Sequence, residues 1–173
     1  LPDDAWHAYF VAPDWLQGLI QQGALGEKVK RGVYQKVKGE IHVLDLPAQA
    51  YRLSAGEVDE DLKRLLKYSG PAEKFAALRN SQQPQAQFLW SIFRDLFHYC
   101  AVQLETIAYN ARDLDLAVRW GFGWNQGPFE IWQAAGWKQI ADWIQEDIAA
   151  GKSMSQAPLP QWVMAIAESD MQS

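Results

Sequence analysis

The spacing of apolar residues along the chain predicts mostly helices. Apolar side chains at i, i+1, i+4 and i+5 over Asp14–Ile20 are typical of a helix with one buried face. The longest stripe recurs every three or four residues and predicts a long amphipathic helix that crosses the domain. Its buried side should hold Leu89, Ile92, Phe93, Leu96, Cys100, Leu104 and Ile107, and its polar side Ser91, Asp95, His98 and Glu105.

Shorter helices are predicted on both sides of this long one. Ser54–Glu57 has the spacing of a capping box and should open a helix that carries Val58, Leu62, Leu65 and Leu66 and ends at Gly70. The polar stretch Asn80–Gln85 indicates a loop or a hinge. Further helices are predicted over 71–78, 113–120, 128–135, 137–150 and 162–167.

One segment has the pattern of strands. Val33–Val37 and Glu40–Leu44 are short and rich in β-formers, and Lys38–Gly39 between them supplies the glycine of a tight turn. An isolated hairpin is only marginally stable, so this one must pack on helices. The predicted fold class is therefore all-α with one small β-hairpin.

Composition limits the function classes. The chain has 173 residues, 49% of them apolar, and a net charge of -5, which argues against nucleic acid or an anionic membrane as the main partner. Its single cysteine, Cys100, excludes an internal disulfide and a cysteine-based zinc site. No apolar run approaches the roughly 20 residues of a membrane span. We expect a cytoplasmic protein, and the missing initial methionine indicates a processed or excised piece.

Two sets of polar residues are candidates for chemistry. Lys28, Lys30 and Arg31 lie in a glycine-rich loop without the order of a P-loop, so a solvated surface is favoured. The alternative is a contact with an acidic neighbouring domain or with the phosphate of a ligand. His7, His42 and His98 have no partners at metal-ligand spacing, and His98 is expected to be structural or solvated.

The most informative segment lies between Asp113 and Trp132. Gly121, Gly123 and Gly127 resemble a dinucleotide fingerprint, but a helix and not a strand precedes them. In the favoured interpretation Gly121 ends one helix, Gly123 and Gly127 permit a tight reversal, Pro128 starts the next helix, and Glu130 lies in its first turn. Helix capping accounts for Asp113 and Asp115. The corner between the helices should be filled by Phe122, Trp124, Phe129 and Trp132.

This segment closely resembles a signature of 3-hydroxyacyl-CoA dehydrogenases, located in their C-terminal helical domain. The residues that carry the signature are Asp113, Asp115, Arg119, Gly121, Gly123, Gly127, Pro128, Phe129, Glu130 and Trp132. The tryptophan-rich form is similar to the large bacterial enzymes of β-oxidation, in which that domain is duplicated. Gly23–Tyr34 resembles the end of the first copy. Phe88–Ile92 lacks an asparagine that the first copy has in the matching region, so the part of the chain that contains it looks like the second copy.

The resemblance implies a fold similar to the C-terminal helical domain of 6-phosphogluconate dehydrogenase. Residues 1–52 would end the first copy, 53–151 would form the second, and 152–173 would be a linker and a terminal helix. The resemblance also implies a larger parent enzyme, of which this chain would be a fragment. The parent would oxidise an L-3-hydroxyacyl-CoA with NAD, which is bound by a separate Rossmann domain that also carries the catalytic residues. This chain would hold no catalytic, cofactor or metal residue, and its only weak substrate-binding candidates are Lys28, Lys30 and Arg31.

The implied partners are the NAD-binding domain, the acyl-CoA substrate and an enoyl-CoA hydratase module. The fragment alone should fold without activity, and an apolar face left uncovered would favour a homodimer. The alternative is a stand-alone helical interaction module with no enzymatic parent.

Overall fold

The computed structural model describes residues 2–54, 56–68 and 70–169. The chain forms two compact units, residues 1–57 and residues 58–173. In the described residues the first combines one α-helix and two short 3-10 helices, His7–Tyr9 and Glu27–Val29, with a small sheet, and the second is helical. The predicted fold class, a mostly helical chain with a small β element, is confirmed.

The first unit contains helix α1 (Asp14–Gln21) and an antiparallel sheet with the order β1-β2-β3. Its strands are β1 (Tyr34–Val37), β2 (Glu40–Asp45) and β3 (Ala50–Leu53). The predicted hairpin is confirmed, with the turn at Lys38 and Gly39, both at positive φ. Strand β3 was not predicted, because Ala50–Leu53 is short and contains no β-branched residue.

The second unit is built from seven helices in its described part. They are α2 (Glu60–Leu66), α3 (Pro71–Asn80), α4 (Pro84–Ile107), α5 (Ala111–Phe122), α6 (Pro128–Ala134), α7 (Trp137–Ala149) and α8 (Gln161–Ser169). Large aromatic side chains fill the core between them, and the rings of Trp132 and Trp137 stack with centroids 4.3 Å apart. Stacked and edge-to-face aromatic pairs of this kind add to the free energy gained from burial alone.

The start of α2 differs from the prediction. The helix begins at Glu60, and the Asp59 carboxylate caps it by accepting the backbone N–H of Asp61 at 2.8 Å. The capping-box interpretation of Ser54–Glu57 was therefore wrong, and Ala55 within it lies outside the described residues. An aspartate closer to the apolar stripe takes the cap because its carboxylate reaches the free N–H groups of the first turn.

The buried side of α4 is also rotated from the predicted one, by about one residue position or ~100°. Leu104 and Cys100 are buried as predicted, but Ile92 and Ile107 are exposed. Asp95 and His98, predicted on the polar side, are buried. The reason is long-range: residues 152–160, which composition indicates as a linker, lie against α4 and supply polar partners to both side chains.

The turn after α5 shows two further corrections. The helix does not end at Gly121 but continues to Phe122, and Gly123 follows it at a left-handed φ of +69°. Phe129 and Trp132 fill the core as predicted, whereas Phe122 and Trp124 are exposed. Because α5 ends two residues later than predicted, these two aromatic residues lie at its end and in the following loop, directed away from the core.

Candidate functional site

The corner between α5 and α6 is held by a buried carboxylate. Asp115 is 5% exposed. Its Oδ1 accepts the N–H of Phe129 at 2.8 Å, and its Oδ2 accepts the N–H of Glu130 at 3.1 Å. Asp115 therefore caps the N-terminus of a neighbouring helix, where free N–H groups and the helix dipole favour a negative charge. Its own helix is capped by Asn110, whose side chain accepts the N–H of Asp113 at 3.0 Å.

Gly127 is required by this close approach. A Cβ at Gly127 would lie 2.3 Å from Asp115 Oδ1 and 2.4 Å from its Cα, too close for any side chain. The Gly127 N–H donates to Glu130 Oε2 at 2.7 Å, which is half of a capping box. Arg119 in turn contacts Glu130 Oε1 at 3.1 Å. The signature residues of the two helices thus fasten one helix to the other.

The same hydrogen bonds bear on the dinucleotide interpretation. A dinucleotide fingerprint binds pyrophosphate through free N–H groups at a helix N-terminus. At α6 the N–H groups of Gly127, Phe129 and Glu130 already donate to Asp115 and Glu130. Pro128, the first residue of this helix, has no N–H to offer. The N–H groups that a pyrophosphate would need are therefore already hydrogen-bonded to carboxylates of this chain.

Burial raises the pKa of Asp115 above its ordinary value, and the neighbouring Glu130 charge adds to this rise. The hydrogen bond from the Phe129 N–H acts in the opposite direction, because it stabilises the ionised form. Burial also raises the pKa of the Cys100 thiol, to about 12, so this side chain behaves as a small apolar residue.

A second buried cluster of charges was missed in the sequence. Asp147 on α7 is 1% exposed and accepts from Trp90 Nε1 at 2.9 Å and from Arg94 at 3.2 Å, both on α4. Arg79 lies 2.9 Å from its other oxygen. Arg94 also donates to Asp95 Oδ2 at 2.6 Å. The available signal was the pair Arg94–Asp95 in the middle of an apolar helix, where charges are rare unless paired.

Two residues of α4 hold the segment before α8. Asp95 Oδ1 accepts the Met154 N–H at 3.0 Å, and His98 Nε2 donates to the Ala157 carbonyl at 2.8 Å. His98 is fully buried, so its role is structural and not solvated. Burial lowers the pKa of His98, and the positive charge of Arg94 acts in the same direction, while the Ala157 carbonyl and Asp95 oppose it.

The basic loop of the first unit lies on the surface. Lys28, Lys30 and Arg31 are all exposed. Arg31 donates to Gln22 Oε1 at 2.9 Å and lines a cavity of about 630 Å³. Lys30 lines a different cavity, of about 820 Å³, and Lys28 lies in the short 3-10 helix Glu27–Val29. Lys30 and Arg31 therefore line different cavities, and the role of the three residues in substrate binding stays a prediction.

The described residues also bear on two other classes of site, metal centres and membrane spans. None of their His, Cys, Asp and Glu side chains gather in a group of three that could hold a metal ion. None of the helices in that part of the chain combines the length and the apolar character needed to cross a membrane.

Relatives among curated proteins show where the chain belongs. It is 31% identical over 137 residues to a Bacillus subtilis protein named as a 3-hydroxyacyl-CoA dehydrogenase, a match that covers 79% of this chain and 17% of the relative. It is 24% identical to a Rickettsia felis protein named as a fatty acid oxidation complex trifunctional enzyme, over 93% of this chain and 21% of the relative. The Rickettsia prowazekii protein of the same name is 23% identical over 150 residues.

The chain spans about a fifth of the length of these relatives. No family model matches the chain, and no solved structure matches it either. The predicted resemblance is nevertheless confirmed: the chain is homologous to a segment of the 3-hydroxyacyl-CoA dehydrogenases.

Proposed function

We propose that this chain is the helical part of an NAD-dependent L-3-hydroxyacyl-CoA dehydrogenase of fatty-acid β-oxidation. It would form part of the wall of the acyl-CoA cleft and pack against the other domains, while the catalytic residues and the NAD site lie in a separate Rossmann domain. The named relatives support the reaction class, and the small share of each relative that the chain spans supports the role of a part.

The observation that carries this proposal is the use of the signature residues. Asp115, Glu130 and Arg119 bind one another or the backbone of α6, so each is engaged in holding two helices together. A catalytic carboxylate needs an oxygen that can reach substrate. Both oxygens of Asp115 are instead taken by N–H groups inside the corner. The signature therefore fits a scaffold better than a reacting group.

In the parent enzyme we propose an acyl-CoA substrate and NAD as hydride acceptor. The name of the Rickettsia relatives supports a multifunctional context, in which an enoyl-CoA hydratase module would be a further domain of the same protein. The domain division of the chain, with residues 1–52 ending a first helical copy and 53–151 forming a second, is part of this proposal.

The test is an assay of NADH formation from L-3-hydroxybutyryl-CoA. The full-length protein that carries this chain should turn over, and the 173-residue chain alone should not. Turnover by the chain alone would contradict the scaffold role. A full-length protein without dehydrogenase activity would contradict the reaction class and favour the stand-alone interaction module. Gly121→Ala in the full-length protein is a suitable control that should keep the activity, because a Cβ at this position meets open space.

A further inference from the structure

One face of the hairpin in the first unit is exposed. Lys36 pairs with Ile41 across the two strands, and Tyr34 lies two residues before Lys36, so the three side chains share this face. Tyr34 is 60% exposed and Ile41 56%. Leu44 lies on the opposite face and lines a cavity together with Trp15 of α1, which places the helix on that other side. Two large apolar side chains are therefore left at the surface.

The cavity of about 820 Å³ lies along this exposed face, and we call it the hairpin cavity. The apolar side chains of its lining are Val33, Tyr34 and Ile41, and three glycines line it with their backbone: Gly26, Gly32 and Gly39. Cavities that bind small molecules in proteins have volumes of about 300–1,000 Å³ and mostly apolar linings. The hairpin cavity therefore has the size and the surface of a ligand site.

Positive charge surrounds the hairpin cavity. Lys30 and Lys36 line it, and Glu27 is the acidic residue of the same lining. Residues 26–41 contain five Lys and Arg and two Glu, although the whole chain has a net charge of -5. A local surplus of cations attracts an anion even where the protein as a whole is acidic. An apolar cavity with lysines beside it fits a molecule that has an apolar body and an anionic end.

The backbone beside the cavity argues against an extended peptide as the ligand. A peptide that adds to a sheet edge needs free N–H and C=O groups there. Next to β1 the chain already folds back on itself: Arg31 forms isolated bridges with Gly26 and with Gln35, and the Gly32 N–H donates to the Tyr34 carbonyl at 3.0 Å. An aliphatic chain has no polar groups that would need partners when it is buried.

We propose that the hairpin cavity binds an unbranched aliphatic carboxylate. The chain of this ligand lies against Tyr34 and Ile41, and its carboxylate is held by Lys30 and Lys36. The proposal does not depend on the proposed dehydrogenase function, because it concerns a cavity of the first unit and its test needs no turnover. Failure of one therefore leaves the other standing.

Calorimetric titration of the 173-residue chain with octanoate, decanoate and dodecanoate, each below its critical micelle concentration, tests the proposal. We expect the dissociation constant to fall by about 3- to 15-fold for every two carbons added, because a longer chain buries more apolar surface. Dodecanol has the same chain without the charge and should bind more weakly than dodecanoate. Dodecanoyl-CoA distinguishes a free carboxylate from a thioester, and tighter binding of the thioester would overturn the assignment to a carboxylate.

Variants locate the site. Ile41→Glu should weaken dodecanoate binding by more than about tenfold, since it places a negative charge against the chain. Ile20→Glu is the matched control, an isoleucine of α1 that is 52% exposed and lies outside the lining. Lys30→Gln and Lys36→Gln should each weaken binding by about 2- to 5-fold, as expected for an exposed ion pair. Lys28→Gln in the same loop is their control, and circular dichroism verifies that each variant is folded.

Nuclear magnetic resonance tests the position of the ligand independently of any variant. Dodecanoate should shift the amide signals of the three glycines that line the cavity, Gly26, Gly32 and Gly39. It should leave those of Gly121 and Gly123 in the second unit unchanged. The proposal is overturned if dodecanoate does not bind, if Ile41→Glu and both glutamine variants bind it unchanged, or if the shifts occur only in the second unit.

Discussion

Two buried carboxylates in the second unit are stabilised in different ways. Asp115 accepts two backbone N–H groups at the start of α6, 14 and 15 residues further along the chain. Asp147 accepts from the cation of Arg94 and the indole of Trp90, 53 and 57 residues away. The first depends on local turn geometry, and the second on the way distant helices pack. A capping aspartate such as Asp115 can therefore be identified from the sequence around it. A buried, ion-paired aspartate such as Asp147 can be identified only once the packing of distant helices is known.

The two sites also differ in how much stability a substitution should remove. A carboxylate that caps a helix is one of several weak contributions to a corner, each worth about 1 kcal/mol. A buried ion cluster offsets a large desolvation penalty by mutual attraction, so the loss of one member leaves a charge buried without compensation. We therefore expect the largest effects in the cluster around Asp147 and smaller ones at the helix ends.

The largest effect is expected for Arg94→Met. It leaves Asp95 without its ion-pair partner and Asp147 with Arg79 as its remaining cation, and should lower the free energy of unfolding by about 3–5 kcal/mol. Urea denaturation followed by circular dichroism measures this. Arg64→Ala is the control, because its ion pair with Asp61 is exposed and should contribute less than about 1 kcal/mol. A loss below about 1 kcal/mol for Arg94→Met would show that the cluster is not stabilised as described.

At the corner, Gly127→Ala should lower the free energy of unfolding by about 1–3 kcal/mol, because its Cβ would collide with Asp115. Gly121→Ala is the matched control. It lies inside α5 with open space around its Cβ, so it should raise stability by about 0.5–1 kcal/mol. Opposite signs for these two variants, measured by urea denaturation, would support the assignment, and equal effects would contradict it.

The contacts between α4 and the segment before α8 should depend on pH. Burial lowers the pKa of His98 in the folded state, so the unfolded chain takes up a proton at higher pH than the folded chain. The contribution of His98 to the free energy of unfolding is therefore fully present above about pH 6.5. It is lost as the pH falls below this value, by at most about 1.4 kcal/mol per pH unit.

We expect His98→Gln, which retains a donor for the Ala157 carbonyl, to lose the part of this dependence that is due to the imidazole. Unfolding free energies at pH 7 and pH 5 for both proteins provide the comparison. The same pH dependence in His98→Gln as in the unmodified protein would assign the titration to other groups.

The smallest effect is expected at the start of α2. Asp59→Ala removes the cap and should lower stability by about 1 kcal/mol, whereas Ser54→Ala should be close to neutral. Thermal unfolding of the two variants distinguishes them. A larger effect of Ser54→Ala would restore the capping box that the sequence suggested.

The local features were predictable from the sequence. The helices, the hairpin and the reversal around Gly127 and Pro128 depend on spacing and on glycine and proline geometry, which neighbouring residues reveal. The third strand lacked a signal, since Ala50–Leu53 pairs with β2 without β-branched residues. Lys30 and Arg31 are adjacent in sequence but line different cavities, which adjacency along a loop does not reveal.

The side of α4 that faces the core was not predictable in the same way. Apolar residues occur on both sides of this helix, so periodicity alone does not decide which side faces the core. Its true core side includes Arg94 and His98, whose partners come from α7 and from the segment before α8. Such pairs are read only from the folded chain. Asp95 and His98, which the sequence assigned to the polar side, are thus residues that tie distant segments together.

Calorimetric titration of the 173-residue chain with NAD and, separately, with acetoacetyl-CoA tests most directly whether the signature is a scaffold. Our account predicts no heat of binding with NAD, because the N–H groups at the start of α6 are taken by Asp115 and Glu130. With acetoacetyl-CoA it predicts at most weak binding, since the cleft is completed by other domains. Tight NAD binding that Gly123→Ala or Gly127→Ala abolishes would contradict it, because the glycine turn would then be a cofactor loop.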